Sequence, residues 1–283
     1  MDATRTVETP QGDRWPALGL GTCRMGEDSA RRAAEVAALR EAFEIGYRLV
    51  DTAEMYGEGG AEEVVGEAIA GALGAGGLRR EDLVVVSKVY PHNASASGVV
   101  EACERSLKRL RLDQIDLYLL HWRGNVPLAD TVAGFETLRA RGLIRRWGVS
   151  NFDVDDLREL PAGACAANQV YYSLSARGLE FDLLPYQREQ RLPLMAYSPL
   201  DVGALAQHRG LRTVAGRHAA TPAQVALAWV LHRPGVIAIP KAVQSRHLKL
   251  NWAAAKIRLT PDDLADLDRA FPPPRRKVAL AML

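Results

Sequence analysis

Four side chains suited to acid–base chemistry lie at or near the ends of short apolar segments of this 283-residue chain. They are a carboxylate, a phenol, an amine and an imidazole: Asp51, Tyr56, Lys88 and His121. A lysine cation within a few ångströms of a tyrosine favours the phenolate and lowers the tyrosine pKa from its usual value near 10. We therefore predict that Lys88 activates Tyr56 as a proton donor. Asp51 would hold the ammonium by a charge-assisted hydrogen bond.

An imidazole beside that phenol would complete a site for carbonyl chemistry. His121 could orient a carbonyl oxygen next to the tyrosine hydroxyl, which protonates the oxygen as negative charge develops. Each residue also has an ordinary structural interpretation: Asp51 as a helix cap, Lys88 as a solvated strand end, and His121 as a hydrogen-bonded core histidine. Taken together, the four types at neighbouring segment ends favour acid-assisted carbonyl reduction.

Reduction needs a hydride donor, and the later segments end in groups that suit a nicotinamide cofactor bound in extended form. Ser150, Asn151 and Gln169 can hydrogen-bond the nicotinamide carboxamide, and Tyr197 can stack on its ring. Lys241 follows the eighth segment, the region where phosphate groups often bind in barrel enzymes. The sequence therefore predicts hydride transfer as the reaction class.

The elements that must position these side chains alternate between strand and helix. Eight apolar runs of β type occupy residues 17–21, 47–51, 83–89, 115–121, 144–150, 166–170, 192–197 and 236–240. Helical spacing of apolar residues recurs between them at 31–45, 61–73, 98–110, 131–141 and 222–231. Nearly continuous apolar strands are typical of a parallel sheet covered by helices, so eight such units predict a (β/α)8 barrel.

An open, doubly wound sheet is the alternative α/β architecture. Gly19-Leu20-Gly21 lacks the third glycine of a dinucleotide fingerprint, and this favours the barrel. We expect one domain over residues 1–283, an N-terminal β-hairpin over 7–15 that closes the bottom of the barrel, and a short proline-stiffened C-terminal tail from Phe271 that folds back over one face.

Composition narrows the function classes further. The formal net charge of +2 does not suggest nucleic acid or an acidic membrane as a partner. No apolar run approaches the length of a membrane span, and the N-terminus lacks the apolar core of a signal peptide, so we expect a cytoplasmic protein. Three widely spaced cysteines, Cys23, Cys103 and Cys165, are interpreted as reduced and mostly buried thiols.

Seven short motifs, in order, identify a family resemblance. They are DTAEMYG at 51–57, SKV at 87–89, DLYLLHW at 116–122, GVSNF at 148–152, NQV at 168–170, YSPL at 197–200 and IPK at 239–241. The chain resembles the aldo-keto reductases over nearly its whole length. It is most similar to bacterial members that reduce methylglyoxal and related dicarbonyls.

The resemblance implies a (β/α)8 barrel, a monomer, and NADPH as cofactor, with NADH possible but weaker. It places the catalytic tetrad on Asp51, Tyr56, Lys88 and His121. The implied cofactor contacts are Gly21, Thr22, Asp51, Ser150, Asn151, Gln169, Tyr197, Ser198, Pro199, Leu200, Lys241, Arg246, His247 and Asn251. The implied substrate contacts are Tyr56, Tyr90, His121, Trp122 and Met25.

Three departures from the family pattern carry expectations of their own. Arg123 follows His121-Trp122 where many members have proline, and this predicts a more cationic pocket mouth. The insert at 200–212 is brief, so we expect a small loop over the cofactor. His247 occupies the position where many members place an arginine on the 2′-phosphate, and the neighbouring Arg246 could substitute.

Other functions are less well supported by the sequence. A non-catalytic regulatory module that binds nicotinamide would need extra docking segments, and we find none. Schiff-base chemistry would need a neutral Lys88, which conflicts with a nearby Asp51 carboxylate. The six scattered histidines form none of the usual metal-ligand patterns, so we expect no metal.

Overall fold

The computed structural model describes residues 5–282. It begins with an antiparallel hairpin of two strands, β1 (Thr6–Glu8) and β2 (Arg14–Pro16), in which Val7 pairs with Trp15. Both of these side chains are buried, so the hairpin packs onto the core. The predicted N-terminal hairpin is therefore present.

Eight further strands form one parallel sheet in which each strand pairs with the next along the chain. They are β3 (Leu20–Gly21), β4 (Leu49–Asp51), β5 (Val84–Val89), β6 (Ile115–Leu120), β7 (Ile144–Ser150), β8 (Asn168–Tyr171), β9 (Leu194–Tyr197) and β10 (Val236–Ala238). Parallel bridges from Leu18 to Ala238 and from Gly21 to Lys241 join the last strand to the first. The sheet thus closes into the predicted barrel.

Closure of the barrel depends on a close backbone approach at Gly21. A Cβ atom at this position would lie 2.7 Å from the carbonyl oxygen of Ile239, which is closer than side-chain carbons normally come. Glycine therefore lets the first strand meet the chain segment that follows the eighth.

Helices surround the barrel and cover the outer face of the sheet. Their bounds are α1 (Arg32–Ile45), α2 (Gly60–Gly74), α3 (Ala96–Leu110), α4 (Leu128–Ala140), α5 (Val154–Arg158), α6 (Leu183–Glu189), α7 (Arg212–Arg217), α8 (Pro222–His232), α9 (Ser245–Ala254) and α10 (Pro261–Ala270). The five helices that apolar spacing predicts begin and end within three residues of the predicted bounds. None of the helices in residues 5–282 is long and apolar enough to cross a membrane.

Local chemistry explains why the later helices begin where they do. Thr221 and Gln224 form a reciprocal capping box at the start of α8, and Pro222 occupies its first turn. Thr260 and Asp263 do the same for α10. These caps satisfy backbone N–H groups that a helix start leaves without an internal partner.

The hairpin and the tail lie at opposite ends of the barrel. Asp13 of the hairpin pairs with Arg145 and Arg146, at the beginning of β7, so the hairpin covers the amino-terminal ends of the strands. Lys277 of the tail pairs with Asp153 and Asp182, which follow β7 and β8. The tail therefore folds back over the end of the barrel at which enzymes of this architecture build their active sites.

Candidate active site

The side chain of Lys88, in β5, is completely buried and lies at the centre of a polar cluster. Its Nζ donates to Asp51 Oδ2 at 2.8 Å and to the Thr52 carbonyl oxygen at 2.8 Å. A third contact reaches the Tyr56 hydroxyl oxygen at 3.3 Å. Two of the predicted tetrad side chains, Asp51 and Tyr56, therefore converge on the ammonium group of a third.

Charge partners keep that ammonium protonated. Burial by itself lowers the pKa of Lys88, but Asp51 and Tyr56 together raise the pKa above its usual value. Asp51 ends β4, and its second oxygen, Oδ1, accepts a 2.7 Å bond from Gln169 Nε2 in β8. Both oxygens of this buried carboxylate are thus satisfied, as burial of a charge requires.

Tyr56 lies in a short 3-10 turn, Tyr56–Gly59, directly before α2. Burial raises the pKa of Tyr56 to about 12, although the Lys88 cation acts in the opposite direction. The sequence correctly predicted that Lys88 lowers the pKa of Tyr56, but it did not predict that burial raises this pKa by more. Since the phenol stays protonated at neutral pH, Tyr56 can donate a proton.

His121 directly follows β6 and is 8% exposed. Its ring meets the Tyr56 ring edge-on, with centroids 5.7 Å apart. Burial, together with the Lys88 cation, lowers the pKa of His121 to about 3, so the imidazole is neutral. Its Nδ1 has no hydrogen-bond partner among residues 5–282. A neutral ring beside a phenol suits the orientation of a carbonyl oxygen.

The predicted nicotinamide contacts form a connected network beside this tetrad. Ser150 Oγ donates to the Gln169 carbonyl oxygen at 2.8 Å, and Asn151 Nδ2 donates to the His121 carbonyl oxygen at 3.1 Å. Tyr197 Oη donates to Asn151 Oδ1 at 3.0 Å. The amide nitrogen of Gln169 binds Asp51, a partner that the sequence did not predict.

A second group of predicted cofactor contacts lies after β10 and in α9. Lys241, Arg246 and His247 are exposed, and none of the three forms an ion pair within the described part of the chain. Arg246 and His247 lie in the first turn of α9, where backbone N–H groups and the helix dipole favour an anion. Asn251 lies further along α9 and is buried. This arrangement fits the phosphate groups of an extended dinucleotide.

The remaining predicted cofactor contacts flank the tetrad. Thr22 is buried and its Oγ1 donates to the Asp51 carbonyl oxygen at 2.9 Å. The others directly follow β9 or end β3; they are Ser198, Pro199, Leu200 and Gly21. The backbone of Ser198 is left-handed, with φ +47°, so the chain turns sharply at this point.

Two aromatic side chains lie near His121, at the end of the barrel that holds the tetrad. The Trp122 ring lies 5.0 Å from the His121 ring and 6.0 Å from the Tyr90 ring, between centroids. Tyr90 and Trp122 are half-buried, as expected of residues that could contact a substrate. Met25 has no exposed surface and packs in the core, so contact with a substrate would require its neighbours to move.

Arg123 does not make the mouth more cationic in the way that the sequence suggested. Its guanidinium donates to Asp156 at 2.9 Å and to Glu159 at 2.7 Å, both from α5 or its end. The two carboxylates raise the pKa of Arg123 and balance its charge. Sequence patterns did not identify α5, and for that reason this pairing was not foreseen.

Sequence reasoning also missed a thiol at the site. Cys23 is exposed and follows β3, close enough for its charge state to interact with Lys88 and Asp51. Neighbouring protein atoms desolvate the sulfur in part and so raise the pKa of this thiol, although the residue is exposed as a whole, and Lys88 acts against that rise. Because Cys23 lies two residues after the end of β3, a search of the residues near strand ends could have found it. Cys103 and Cys165 are buried, as predicted.

The tail adds a wall to one side of the mouth. A cleft of about 400 Å³ lies between tail residues 278–281 and the loops after β8 and β9. Tyr171, Asp201 and Leu179 are among the side chains that line it. The tail therefore shapes the surroundings of Tyr171 and of Asp201.

Two named reductases are similar to this chain over nearly its whole length. Methylglyoxal reductase YeaE of Escherichia coli is 49% identical over 277 residues, which cover 95% of each chain. Glyoxal reductase of Bacillus subtilis is 35% identical over 266 residues, covering 93% of this chain and 91% of that protein.

Solved structures show the same likeness. An aldo-keto reductase from Klebsiella pneumoniae in complex with NADPH superposes with a TM-score of 0.93 at 48% identity, covering 99% of this chain and all of that one. The model of the Aldo/keto reductase family matches residues 17–271, which include all the motifs described above. This chain belongs to the aldo/keto reductase family.

Proposed function

We propose that this protein is an NADPH-dependent reductase that converts small α-oxoaldehydes such as methylglyoxal, and also aromatic aldehydes, to alcohols. The observation that carries the proposal is the buried Asp51–Lys88–Tyr56 network, with Lys88 Nζ 2.8 Å from the carboxylate and 3.3 Å from the phenol. Such a network is suited to proton donation to a carbonyl oxygen.

In this proposal the cofactor lies across the mouth of the barrel. Ser150, Asn151 and Gln169 would bind its carboxamide, Tyr197 would stack on the nicotinamide, and Lys241 with the first turn of α9 would bind phosphate. Arg246 at that helix start and Lys241 before it are exposed and form no ion pair within residues 5–282, and this supports the phosphate end of the assignment. When bound, NADPH supplies the hydride. The NADPH complex of the K. pneumoniae relative supports the choice of cofactor.

The chain's own residues then carry the proton chemistry. Neutral His121 would direct the substrate carbonyl oxygen toward the Tyr56 hydroxyl, and that hydroxyl would give its proton to the oxygen as negative charge develops. Lys88 stabilises the phenolate that remains, because its ammonium lies within hydrogen-bonding distance. Asp51 keeps that ammonium charged and fixed.

Small substrates suit the walls that the structure provides. The insert after β9 consists only of short turns between Asp201 and Leu211. These short turns offer little surface that could contact a steroid or a long sugar. The similarity to a methylglyoxal reductase of E. coli and a glyoxal reductase of B. subtilis supports the same choice.

A substrate panel with NADPH tests this proposal. We expect kcat/KM to be higher for methylglyoxal and for aromatic aldehydes than for steroid ketones or long sugars. A higher value for a steroid ketone would contradict the proposed substrate class. NADPH binding without oxidation by any aldehyde of the panel would instead favour the non-catalytic regulatory module.

We also propose that the protein acts in the cytoplasm as a monomer. The support for both statements is the resemblance to bacterial aldo-keto reductases. Sedimentation equilibrium should give the mass of a single 30.9 kDa chain. A stable mass of twice that value at micromolar concentration would contradict the monomer.

A further inference from the structure

The ring of Tyr197 is supported on one side by a second tyrosine. The register of β8 and β9 places Tyr171 opposite Tyr197. Their rings stack with centroids 5.7 Å apart and planes inclined by 16°. An offset, nearly parallel pair of this kind is a favourable arrangement for aromatic rings. The orientation of Tyr197 is therefore coupled to the orientation of Tyr171.

Tyr171 is in turn held by a carboxylate in the loop after β9. The Tyr171 hydroxyl donates to Asp201 Oδ1, and the Ser175 hydroxyl donates to Asp201 Oδ2 at 2.8 Å. Hydrogen bonds to an ionised acceptor are stronger than neutral ones. Asp201 thus connects the Tyr171 hydroxyl to two loops: the loop after β9, which contains Asp201, and the loop after β8, which contains Ser175.

The backbone at Asp201 adopts a conformation that few side chains accept. Asp201 has φ +51°, Val202 also has φ +51°, and Gly203 has φ +94°. Aspartate and asparagine tolerate the left-handed region better than most residues do. Left-handed backbone in a non-glycine residue carries a cost, which the surrounding contacts must offset. The carboxylate contacts of Asp201 are suited to that role.

We propose that Asp201 is a positioning residue for the nicotinamide half of the site. It fixes Tyr171, and the Tyr171 ring then holds Tyr197 in the orientation in which Tyr197 stacks on the cofactor ring. The hydroxyl of Tyr197 is held separately by Asn151. The inference rests on the proposed contact between Tyr197 and nicotinamide. Its consequence is that a residue outside the tetrad controls affinity for one end of the cofactor.

Two ligands separate the two ends of the cofactor site. NADP⁺ contains the nicotinamide, whereas 2′-phospho-ADP-ribose contains the same phosphates and adenosine without it. Dissociation constants for both are measured by calorimetry for the unmodified protein and for Asp201→Gly, Asp201→Asn and Tyr171→Phe. Glycine removes the carboxylate while accepting the left-handed backbone, and asparagine keeps an oxygen that can accept the bond from Tyr171.

We expect Asp201→Gly and Tyr171→Phe to weaken NADP⁺ binding by roughly three- to tenfold, which is the size of one aromatic stacking contact. Binding of 2′-phospho-ADP-ribose should stay unchanged, and Asp201→Asn should restore most of the NADP⁺ affinity. If Asp201→Gly weakens both ligands equally, or if both variants bind NADP⁺ normally, the inference is wrong. Tyr171→Phe keeps the ring and most contacts, so it gives an answer even if Asp201→Gly folds poorly.

Tyr172→Phe is the matched control. Tyr172 also donates its hydroxyl to a carboxylate, Glu180, at 2.6 Å, but its ring contacts Trp229 rather than Tyr197. This variant should leave the ratio of the two dissociation constants unchanged. An equal change of that ratio in Tyr172→Phe and Tyr171→Phe would show a general effect of a lost tyrosine–carboxylate bond and would overturn the inference.

A Tyr197→Leu variant separates failure of the inference from failure of the proposed cofactor contact. If Tyr197→Leu weakens NADP⁺ selectively while the Asp201 and Tyr171 variants do not, the contact stands and Asp201 has no positioning role. If Tyr197→Leu binds NADP⁺ as tightly as the unmodified protein does, the contact itself is wrong and the inference fails with it.

Discussion

Lys88 and Tyr56 are joined by a 3.3 Å contact between ammonium nitrogen and phenol oxygen, and the same ammonium lies 4.8 Å from the centre of the Tyr56 ring. Burial favours the neutral phenol, whereas the cation favours the phenolate. The two effects act on the same proton. Tyr56 therefore holds its proton at neutral pH, and Lys88 already lies where it would stabilise the phenolate that the proposed proton donation leaves.

Removal of Lys88 should change the pH dependence of reduction as well as its rate. A general acid is active while protonated, so kcat falls as pH rises through its pKa. Lys88 lowers the pKa of Tyr56; the variant Lys88→Met should therefore lower kcat at neutral pH and move the descending limb of the profile to higher pH. Because the pKa of Tyr56 is about 12, kcat of the unmodified enzyme should begin to fall only above about pH 11. Steady-state rates from pH 6 to 12 should therefore show this fall in the unmodified enzyme and a smaller fall in the variant.

A control is needed because Lys88→Met leaves the Asp51 carboxylate buried without its cation. Loss of one partner of a buried ion pair typically costs about 3–5 kcal/mol of stability. The double variant Lys88→Met with Asp51→Asn should recover part of the lost melting temperature without recovering activity. If a folded, measurably active Lys88→Met enzyme loses kcat at the same pH as the unmodified enzyme, Lys88 does not lower the pKa of Tyr56.

The tail should depend on Lys277 for its position near the mouth. Lys277 Nζ lies 3.0 Å from Asp153 and 2.8 Å from Asp182. Lys277→Met should raise KM for aldehyde by roughly two- to fivefold with a smaller change in kcat, because exposed pairs contribute modestly. High salt should reproduce the effect in the unmodified enzyme and add little to the variant.

Two further variants make the test of the tail specific. Lys277→Arg keeps the charge and should restore KM. Arg276→Met removes a neighbouring charge that makes no ion pair within residues 5–282, and it should leave KM unchanged. A normal KM and a normal salt response in Lys277→Met would show that other contacts position the tail.

Cofactor choice should depend mainly on Arg246. A guanidinium pairs better with the 2′-phosphate of NADPH than a lysine or a histidine does. We therefore expect NADPH to be preferred over NADH, with measurable NADH activity and a preference that weakens as salt rises. Arg246→Ala should lower the preference in kcat/KM by about tenfold.

The effect of Arg246→Ala should be confined to NADPH. Lys256→Ala, which removes an exposed cation after the end of α9, provides the control and should change neither cofactor's kcat/KM. Equal kcat/KM for NADPH and NADH in the unmodified enzyme at low salt would contradict the preference. Unchanged NADPH kinetics in Arg246→Ala would remove this residue from the phosphate site.

Much of the tetrad could be predicted from the sequence because a parallel barrel brings the carboxyl ends of its strands to one rim. Asp51, Lys88 and His121 each lie at or near the end of an apolar run, so their proximity follows from the fold class. Tyr56 required a further step, since it lies in a turn after the strand.

Other features depend on contacts between segments that are distant in the sequence. The pairing of Arg123 with Asp156 requires the position of α5, a helix too short to give a clear apolar period. The pKa of Tyr56 depends on how deeply the phenol is buried, which no local pattern reveals. The bond from Tyr171 to Asp201 depends on left-handed backbone in the loop after β9, and the sequence gives no signal for it.

The central claim is that Tyr56 donates the proton to the substrate carbonyl, and single-turnover reduction of methylglyoxal by Tyr56→Phe with bound NADPH tests it most directly. Phenylalanine removes the hydroxyl and keeps the ring. We predict that the rate of NADPH oxidation falls by about 10²–10⁴-fold while the dissociation constant for NADPH stays within about a factor of two. A Tyr56→Phe enzyme that binds NADPH normally and keeps half of the unmodified rate would contradict the claim.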